Sequence, residues 1–357
     1  MKLKESNRQH WRNAIVKENS SLKKVIKKLN KTALQIIFIT DSKNKLIGTI
    51  TDGDIRRGLL RGLNLESKIG KIINKKPLIV KQNMNNKWIK KIMKSSKIDK
   101  VPVVNESGKI INIITSQNEN LETKENLILI MAGGKGARLR PLTNLCPKPL
   151  LPLAGKPILE HIIFKARDEG FKNFAISINY LGKMVEDYFK DGKKYGVKIH
   201  YLKERTPLGT AGSIGLLNDK ITKKLPFIVT NGDVLTEVNL NALLSFHKKE
   251  KSMGTMSIYK HNWEHPYGVV KTEGVKIINV IEKPNFNAHI NAGVYVFDPK
   301  IINLIKKNEH IDMNIFFKQL SNKRKNINAY PIYEPWFDVG THDQLEIAKK
   351  KFKILDE

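Results

Sequence analysis

The sequence predicts an α/β protein, a doubly wound sheet preceded by a smaller α+β module. Three observations lead there. From residue 127 onward, apolar runs of strand length alternate with helix-like stretches, as βα units around a parallel sheet do. The first of those runs, Leu-Ile-Leu-Ile-Met at 127–131, feeds straight into a glycine-rich turn. The first 120 residues instead repeat a unit of roughly fifty residues.

Copy one of the repeat reads as a helix at 22–29, a strand at 36–40, a turn at 42–45 and a strand at 46–51. Asp52-Gly53-Asp54-Ile55-Arg56-Arg57 then opens a helix. Copy two follows the same order, with a helix at 88–93, a strand at 101–104, a turn at 105–109 and a strand at 110–115. Residues 116–126 are polar and lack apolar periodicity, which marks a linker. Strands are then expected at 127–131, 174–178, 197–202 and 227–230, with helices at 158–169, 183–190 and 210–217. Shorter segments at 256–259, 268–271, 277–281 and 291–297 read as an inserted or mixed β layer.

A chain of 357 residues suits two domains, and 40% hydrophobic content suffices for real cores. The single cysteine, Cys146, excludes an intramolecular disulfide and fits a reducing compartment. No apolar run approaches the length of a membrane span, and the first residues lack the apolar core of a signal peptide. A cytoplasmic protein with no membrane partner is expected.

The net charge of +30 invites a nucleic-acid reading. Residues 1–120 carry 27 Lys/Arg against 9 Asp/Glu, net +18, which leaves +12 for the rest. Only 10 of the 64 cations are arginines, and no aromatic-interleaved patch or known module accompanies them. Small anionic ligands and solubility explain the charge better, and no nucleic-acid partner is expected.

The chemistry concentrates in Gly133-Gly134-Lys135-Gly136-Ala137-Arg138-Leu139, followed by Pro147-Lys148-Pro149-Leu150-Leu151-Pro152. Glycines let backbone amides approach an anion, and Arg138 and Lys148 supply neutralising charge, the lysine on a stiff proline-flanked segment. No Gly-Lys-Ser/Thr follows, so the turn is not a P-loop. Leu139 stands where a dinucleotide fingerprint needs its third glycine, so that motif is excluded too.

These two segments resemble the signature of the sugar-1-phosphate nucleotidylyltransferases, G-G-x-G-[TS]-R-L and a P-K-P-L-L-P-like stretch. Ala137 departs from the usual Thr or Ser. The resemblance covers residues 127–345 and implies a Rossmann-like nucleotidyltransferase domain, here 125–357. It implies that Ala132, Gly133, Gly134 and Gly136 cradle the triphosphate of an NTP. Gly209, Thr210 and Ala211 of Pro207-Leu-Gly-Thr-Ala-Gly-Ser213 would line the base. Asp233 of Asn231-Gly232-Asp233 and Asp338 of Trp336-Phe337-Asp338-Val339-Gly340-Thr341 would ligate Mg²⁺. Arg138, Lys148 and Lys283 would be the catalytic cations. Tyr267, Gly268, Glu282, Lys283 and Asn291 would hold the sugar 1-phosphate. His161, on an apolar helix, reads as a packing residue.

Gly48-Thr-Ile-Thr-Asp-Gly-Asp54 and the turns at Asp41 and Asn105 resemble CBS motifs, which implies a CBS pair (a Bateman module) at 1–120. In such pairs Thr51, Asp54 and Thr115 would hold an adenine nucleotide or a pathway product. Asn118 replaces the acid of copy two, and a dimerisation role for the module is the alternative. The architecture is similar to glucosamine-1-phosphate guanylyltransferases of legionaminic-acid synthesis. That implies GTP and glucosamine 1-phosphate as substrates and a homo-oligomer. Mannose- or heptose-1-phosphate guanylyltransferases, glucose-1-phosphate thymidylyl- or uridylyltransferases and a non-catalytic scaffold are the competing expectations.

Overall fold

The computed structural model describes residues 10–32, 34–81, 84, 89, 92–93, 95–96, 98, 100–115 and 123–356. Backbone contacts divide the chain into two units, Met1–Asn120 and Leu121–Glu357.

In the first unit, β1 (Ile15–Lys17), β2 (Ile36–Thr40) and β3 (Leu46–Thr51) form a sheet in that order, parallel and then antiparallel. β4 (Val80–Lys81), β5 (Lys100–Val104) and β6 (Ile110–Thr115) repeat the order and the directions. The repeated sequence is therefore a repeated fold. Each copy closes its hairpin with the same side-chain turn. Asp41 accepts from the Lys45 amide (2.8 Å) and Asn105 from the Lys109 amide (2.9 Å). The two turns meet where the Leu46 amide donates to the Gly108 carbonyl at 2.9 Å. Helix Leu22–Thr32 buries Leu22, Val25, Ile26 and Leu29, a stripe at three- and four-residue spacing. Of the helix expected at 88–93, Trp88 lies outside the described residues, while Ile89 and Met93 are buried four positions apart.

The second unit is built on β7 (Lys124–Met131). A small hairpin, β8 (Pro152–Leu153) with β9 (Lys156–Pro157), precedes helix Ile158–Asp168. β10 (Phe171–Ile178), β11 (Lys198–Lys203), β12 (Phe227–Asn231) and β13 (Val234–Thr236) follow. Next come β14 (Gly254–Glu264), β15 (Val269–Glu273), β16 (Lys276–Ile281) and β17 (Asn285–Phe297). β18 (Ile327–Ile332) and β19 (Trp336–Asp338) complete the strands.

Seven of these form one sheet, ordered β11-β10-β7-β12-β17-β14-β18. Its first four strands are parallel; β17 and then β14 each run antiparallel to the strand before. The chain leaves β7, adds β10 and β11 on one side, then returns to place β12 on the other. That reversal is a topological switch point, and open α/β sheets bind ligands in the crevice beyond the strand ends there.

Both faces of β7 are buried, which explains its continuous apolar run. Ile128 and Ile130 join the core beneath helices Ile158–Asp168, Gly182–Phe189 and Leu240–Lys249. Leu127 and Leu129 join the opposite core with Ile214, Phe316, Phe317 and Leu320. Each such side chain contributes about 1.5–3 kcal/mol by leaving water.

One expected helix does not form. Residues 210–217 hold only a single 3-10 stretch, Gly212–Leu216. Backbone of the 305–311 region crowds its glycines: a side chain on Gly212 would lie 2.3 Å from the Glu309 carbonyl oxygen, and one on Gly215 3.1 Å from that of Lys306. The Ala211 amide bonds the Ile311 carbonyl instead of a helical neighbour (2.9 Å). No helix among the described residues is long and apolar enough to cross a membrane.

Candidate active site

The crevice at the switch point is a cavity of about 380 Å³. Its floor comes from the ends of β7 and β12. Gly232 closes the gap between them: its amide donates to the Met131 carbonyl at 2.9 Å, and a Cβ there would stand 2.7 Å from that oxygen. Ala132, Gly133, Gly134 and Gly136 line the cavity together with Ala137 and Arg138. Gly136 adopts φ +60°, the left-handed region that favours glycine, and the Thr143 hydroxyl donates to its carbonyl (2.9 Å). A Cβ on Gly136 would meet Thr143 Cγ2 at 2.9 Å, so the turn has room only for hydrogen.

Lys148 stands on the 3-10 turn Lys148–Leu150, with Pro147 before it and Pro149 inside it. It is 9% exposed, yet it lines the cavity and its ammonium pairs with the Asp233 carboxylate. Asp233 lies two residues past the end of β12, and its carbonyl accepts from the Val339 amide at 3.0 Å. Antiparallel pairing of β13 with β19 sets Val234 opposite Asp338. The two acids expected to act together are therefore brought together by strand pairing. Burial raises the Asp338 carboxyl above the ordinary range, the Asp233 charge adds to this, and Lys148 and Arg138 oppose it. Gly340 lies against both Arg138 and Asp338: a Cβ there would lie 3.2 Å from Arg138 Nη2 and from Asp338 Oδ1.

The opposite wall is the loop 207–210, with Pro207, Leu208, Gly209 and Thr210 facing the cavity. Gly209 has φ +74°, and a side chain on it would press 2.7 Å from the Ile311 carbonyl. Ala211 is fully buried behind the loop. The helix expected at 210–217 would begin at Thr210, but Thr210 serves a different helix: its hydroxyl accepts from the Met313 amide (2.8 Å) at the start of helix Met313–Asn322. Its amide donates to Asp312 Oδ1 at 3.1 Å.

Two cavity residues carry no motif signal. Glu204, just past β11, accepts from the Ser177 hydroxyl (2.5 Å) and the Leu208 amide (3.0 Å) while lining the cavity. His310 also lines it, its Nδ1 donating to the Pro207 carbonyl at 2.8 Å. Glu204 was discoverable only as an acid placed three residues before the Pro-Leu-Gly-Thr loop.

Tyr267, Gly268, Glu282, Lys283 and Asn291 do not line this cavity. The first four flank the β15–β16 hairpin, with Tyr267 72% exposed and the Glu282 carboxylate against Gly268. Lys283 takes φ +44°. Asn291 accepts from the Gly293 amide (3.0 Å) and donates to Asn314 (2.9 Å). His161 packs beneath the sheet, its Nε2 donating to the Leu153 carbonyl at 2.7 Å.

In the first unit, Thr51 and Asp54 form a capping box on helix Asp52–Leu60. Asp54 Oδ2 accepts from the Thr51 amide (2.9 Å) and hydroxyl (2.7 Å), and Oδ1 from Arg57 Nη2 (2.6 Å). A ribose bound there would compete with these bonds. Asn118 and the side chain of Thr115 lie outside the described residues.

A family model described as nucleotidyl transferase matches residues 127–353. The chain belongs to the nucleotidyl transferase family. CBS-domain models match 11–61 and 69–118, on the two copies of the N-terminal repeat. The nucleotidyl transferase part is 36% identical over 218 residues to a mannose-1-phosphate guanylyltransferase catalytic subunit beta of Dictyostelium discoideum, 59% of this chain and 60% of that one. It is 33% identical over 218 residues to a mannose-1-phosphate guanylyltransferase of Mycobacterium tuberculosis, 60% of each. The chain thus spans about 60% of the length of the curated relatives it matches. Among solved structures, HddC from Yersinia pseudotuberculosis superposes with TM-score 0.52 at 24% identity, covering 64% of this chain and 99% of HddC. A putative glucose-1-phosphate thymidylyltransferase from Bacillus anthracis gives 0.51 at 22%, covering 63% and 94%. These two likenesses show the nucleotidyl transferase fold.

Proposed function

We propose that the chain transfers a nucleotidyl group from an NTP, GTP in preference, to a sugar 1-phosphate, releasing pyrophosphate. The observation that carries this is the convergence of the glycine turn, Arg138, Lys148, Asp233 and the 207–210 loop on one cavity. The phosphate oxygen of the sugar 1-phosphate attacks the α-phosphorus. A new P–O bond forms there, and the bond to the β-phosphate oxygen breaks with its electron pair leaving on pyrophosphate. Both reactants are anions, so the protein's task is alignment and charge cancellation.

Arg138 suits the departing pyrophosphate, because its planar fork can bond two oxygens. Lys148 is poised to exchange Asp233 for a phosphate oxygen. Lys283, on its separate strand connection, would hold the attacking phosphate. The attacking group is already ionised, so no general base is needed.

Asp233 and Asp338 fit Mg²⁺. They are two hard oxygen donors whose charges disfavour each other. Phosphate oxygens and water would complete the coordination of such an ion. Bound there, Mg²⁺ would supply neutralising charge to the triphosphate.

Glu204 supports guanine. A carboxylate facing the base end accepts from N–H groups, and guanine presents N1–H beside its exocyclic amine. Uracil and thymine flank their single N–H with carbonyls that a carboxylate repels. The curated relatives' names support mannose 1-phosphate as acceptor, and the fused CBS pair supports glucosamine 1-phosphate by architecture alone. Pyrophosphate release from four triphosphates against mannose, glucosamine and glucose 1-phosphates tests the reading. Turnover with GTP above the other three supports it, and equal or absent turnover rejects it. The CBS pair would regulate or assemble the enzyme, in a cytoplasmic setting.

A further inference from the structure

Beyond the cavity, β14 and β17 outrun the sheet. Lys260–Glu264 pairs only with the first half of β17, and the β15–β16 hairpin pairs only with itself. This arm is almost wholly exposed, and it is not polar. Of nineteen exposed large hydrophobic side chains among the described residues, nine lie between Trp263 and Phe286. Val275 is 99% exposed and Ile277 66%. Strand alternation sends Ile277 and Ile281 to one face of β16 and Ile278 and Val280 to the other, and all four are at least half exposed. Neither face has a layer over it, and an isolated two-stranded hairpin is marginal in water.

We propose that this arm is the interface on which a second copy of the same chain docks. Three observations favour that occupant. At roughly 150–200 Å² for a full side chain, the nine present on the order of 900 Å² over the two faces of the arm, near the share one partner buries in a stable dimer when the arm is covered on both faces. Charge points the same way. Residues 260–290 hold four lysines against three glutamates, within a chain that carries 64 cations against 34 acids. Two strongly basic molecules can therefore approach here with little repulsion, and a nucleic acid or an anionic membrane has no reason to choose this face. Finally, the hairpin edges carry backbone donors and acceptors that an identical hairpin can meet across a two-fold axis.

The full-length chain tests this. Sedimentation at tens of micromolar is expected to show an assembly, and the double variant Ile277→Asp/Ile278→Asp to halve its mass while keeping the wild-type melting transition. A monomeric wild type, or a variant of unchanged mass, overturns the proposal. Hydrogen exchange on the unmodified chain decides the matter if the variant does not fold. Amides of residues 269–281 are expected to be protected at tens of micromolar and to lose that protection on dilution to nanomolar. Protection that ignores dilution, or is absent throughout, overturns the proposal equally.

Discussion

The ammonium of Lys148 is paired with the carboxylate of Asp233 across 85 residues of sequence, inside the crevice between β7 and β12. The pair joins the proline-flanked lysine to the acid at the end of the neighbouring strand. It sets cation and anion side by side where, on the proposed reading, a metal–triphosphate would enter and repartner both.

Lys148→Ala is therefore expected to lower pyrophosphate release by ~10²–10³, the usual cost of one transition-state charge. The far-ultraviolet circular dichroism spectrum should stay that of wild type. Turnover within a factor of a few of wild type would remove Lys148 from the chemistry.

Asp338 carries the opposite signature. Its carboxyl is raised by burial and by the Asp233 charge, so its ionised form is a cost to the folded chain at neutral pH. Asp338→Asn should raise the melting temperature of the metal-free protein while abolishing turnover. A variant that is less stable and still active would contradict both roles.

Glu204→Gln keeps shape and removes charge. If the carboxylate reads guanine, kcat/KM for GTP falls roughly 10–100-fold, the worth of a hydrogen bond to a charged group. Rates with UTP should hold or rise. Steady-state kinetics with both triphosphates decides, and an equal loss with each would mean that Glu204 only supports the loop through Leu208.

His247 gives a pH dependence independent of catalysis. It is buried, beside Thr255 at 2.9 Å, and burial pulls its pKa down to about 4 from 6.5. The folded ring stays neutral where the unfolded ring takes a proton. Between pH 6.5 and 4 the unfolded chain thus binds more protons, and acidification favours unfolding, by up to about 3 kcal/mol at the lower end. Urea melts of wild type and His247→Leu across that range should show the slope shrinking in the variant. An unchanged slope would place it on other groups.

The site was legible where chemistry and local backbone coincide. Gly136 needs its positive φ and Lys148 its prolines within a few residues of sequence, so short motifs carry them. The repeated Asx turns at Asp41 and Asn105 made the first unit legible in the same way. What escaped is set by partners far along the chain. Thr210 reads locally as a helix start, yet its hydroxyl caps a helix 103 residues later, and the glycines after it pack on residues 305–311 rather than coiling. Glu204 is a lone acid until β10 brings Ser177 against it. Tyr267, Glu282 and Lys283, expected from their motifs around the sugar 1-phosphate, flank the β15–β16 hairpin outside the lining of this cavity, a placement that motif order alone does not give.

The most direct measurement is a phosphorus NMR time course of the purified chain with GTP, Mg²⁺ and mannose or glucosamine 1-phosphate. The account predicts pyrophosphate and a GDP-sugar appearing in equal amounts as both substrates disappear. Orthophosphate in place of pyrophosphate, or no change with either sugar, would contradict it.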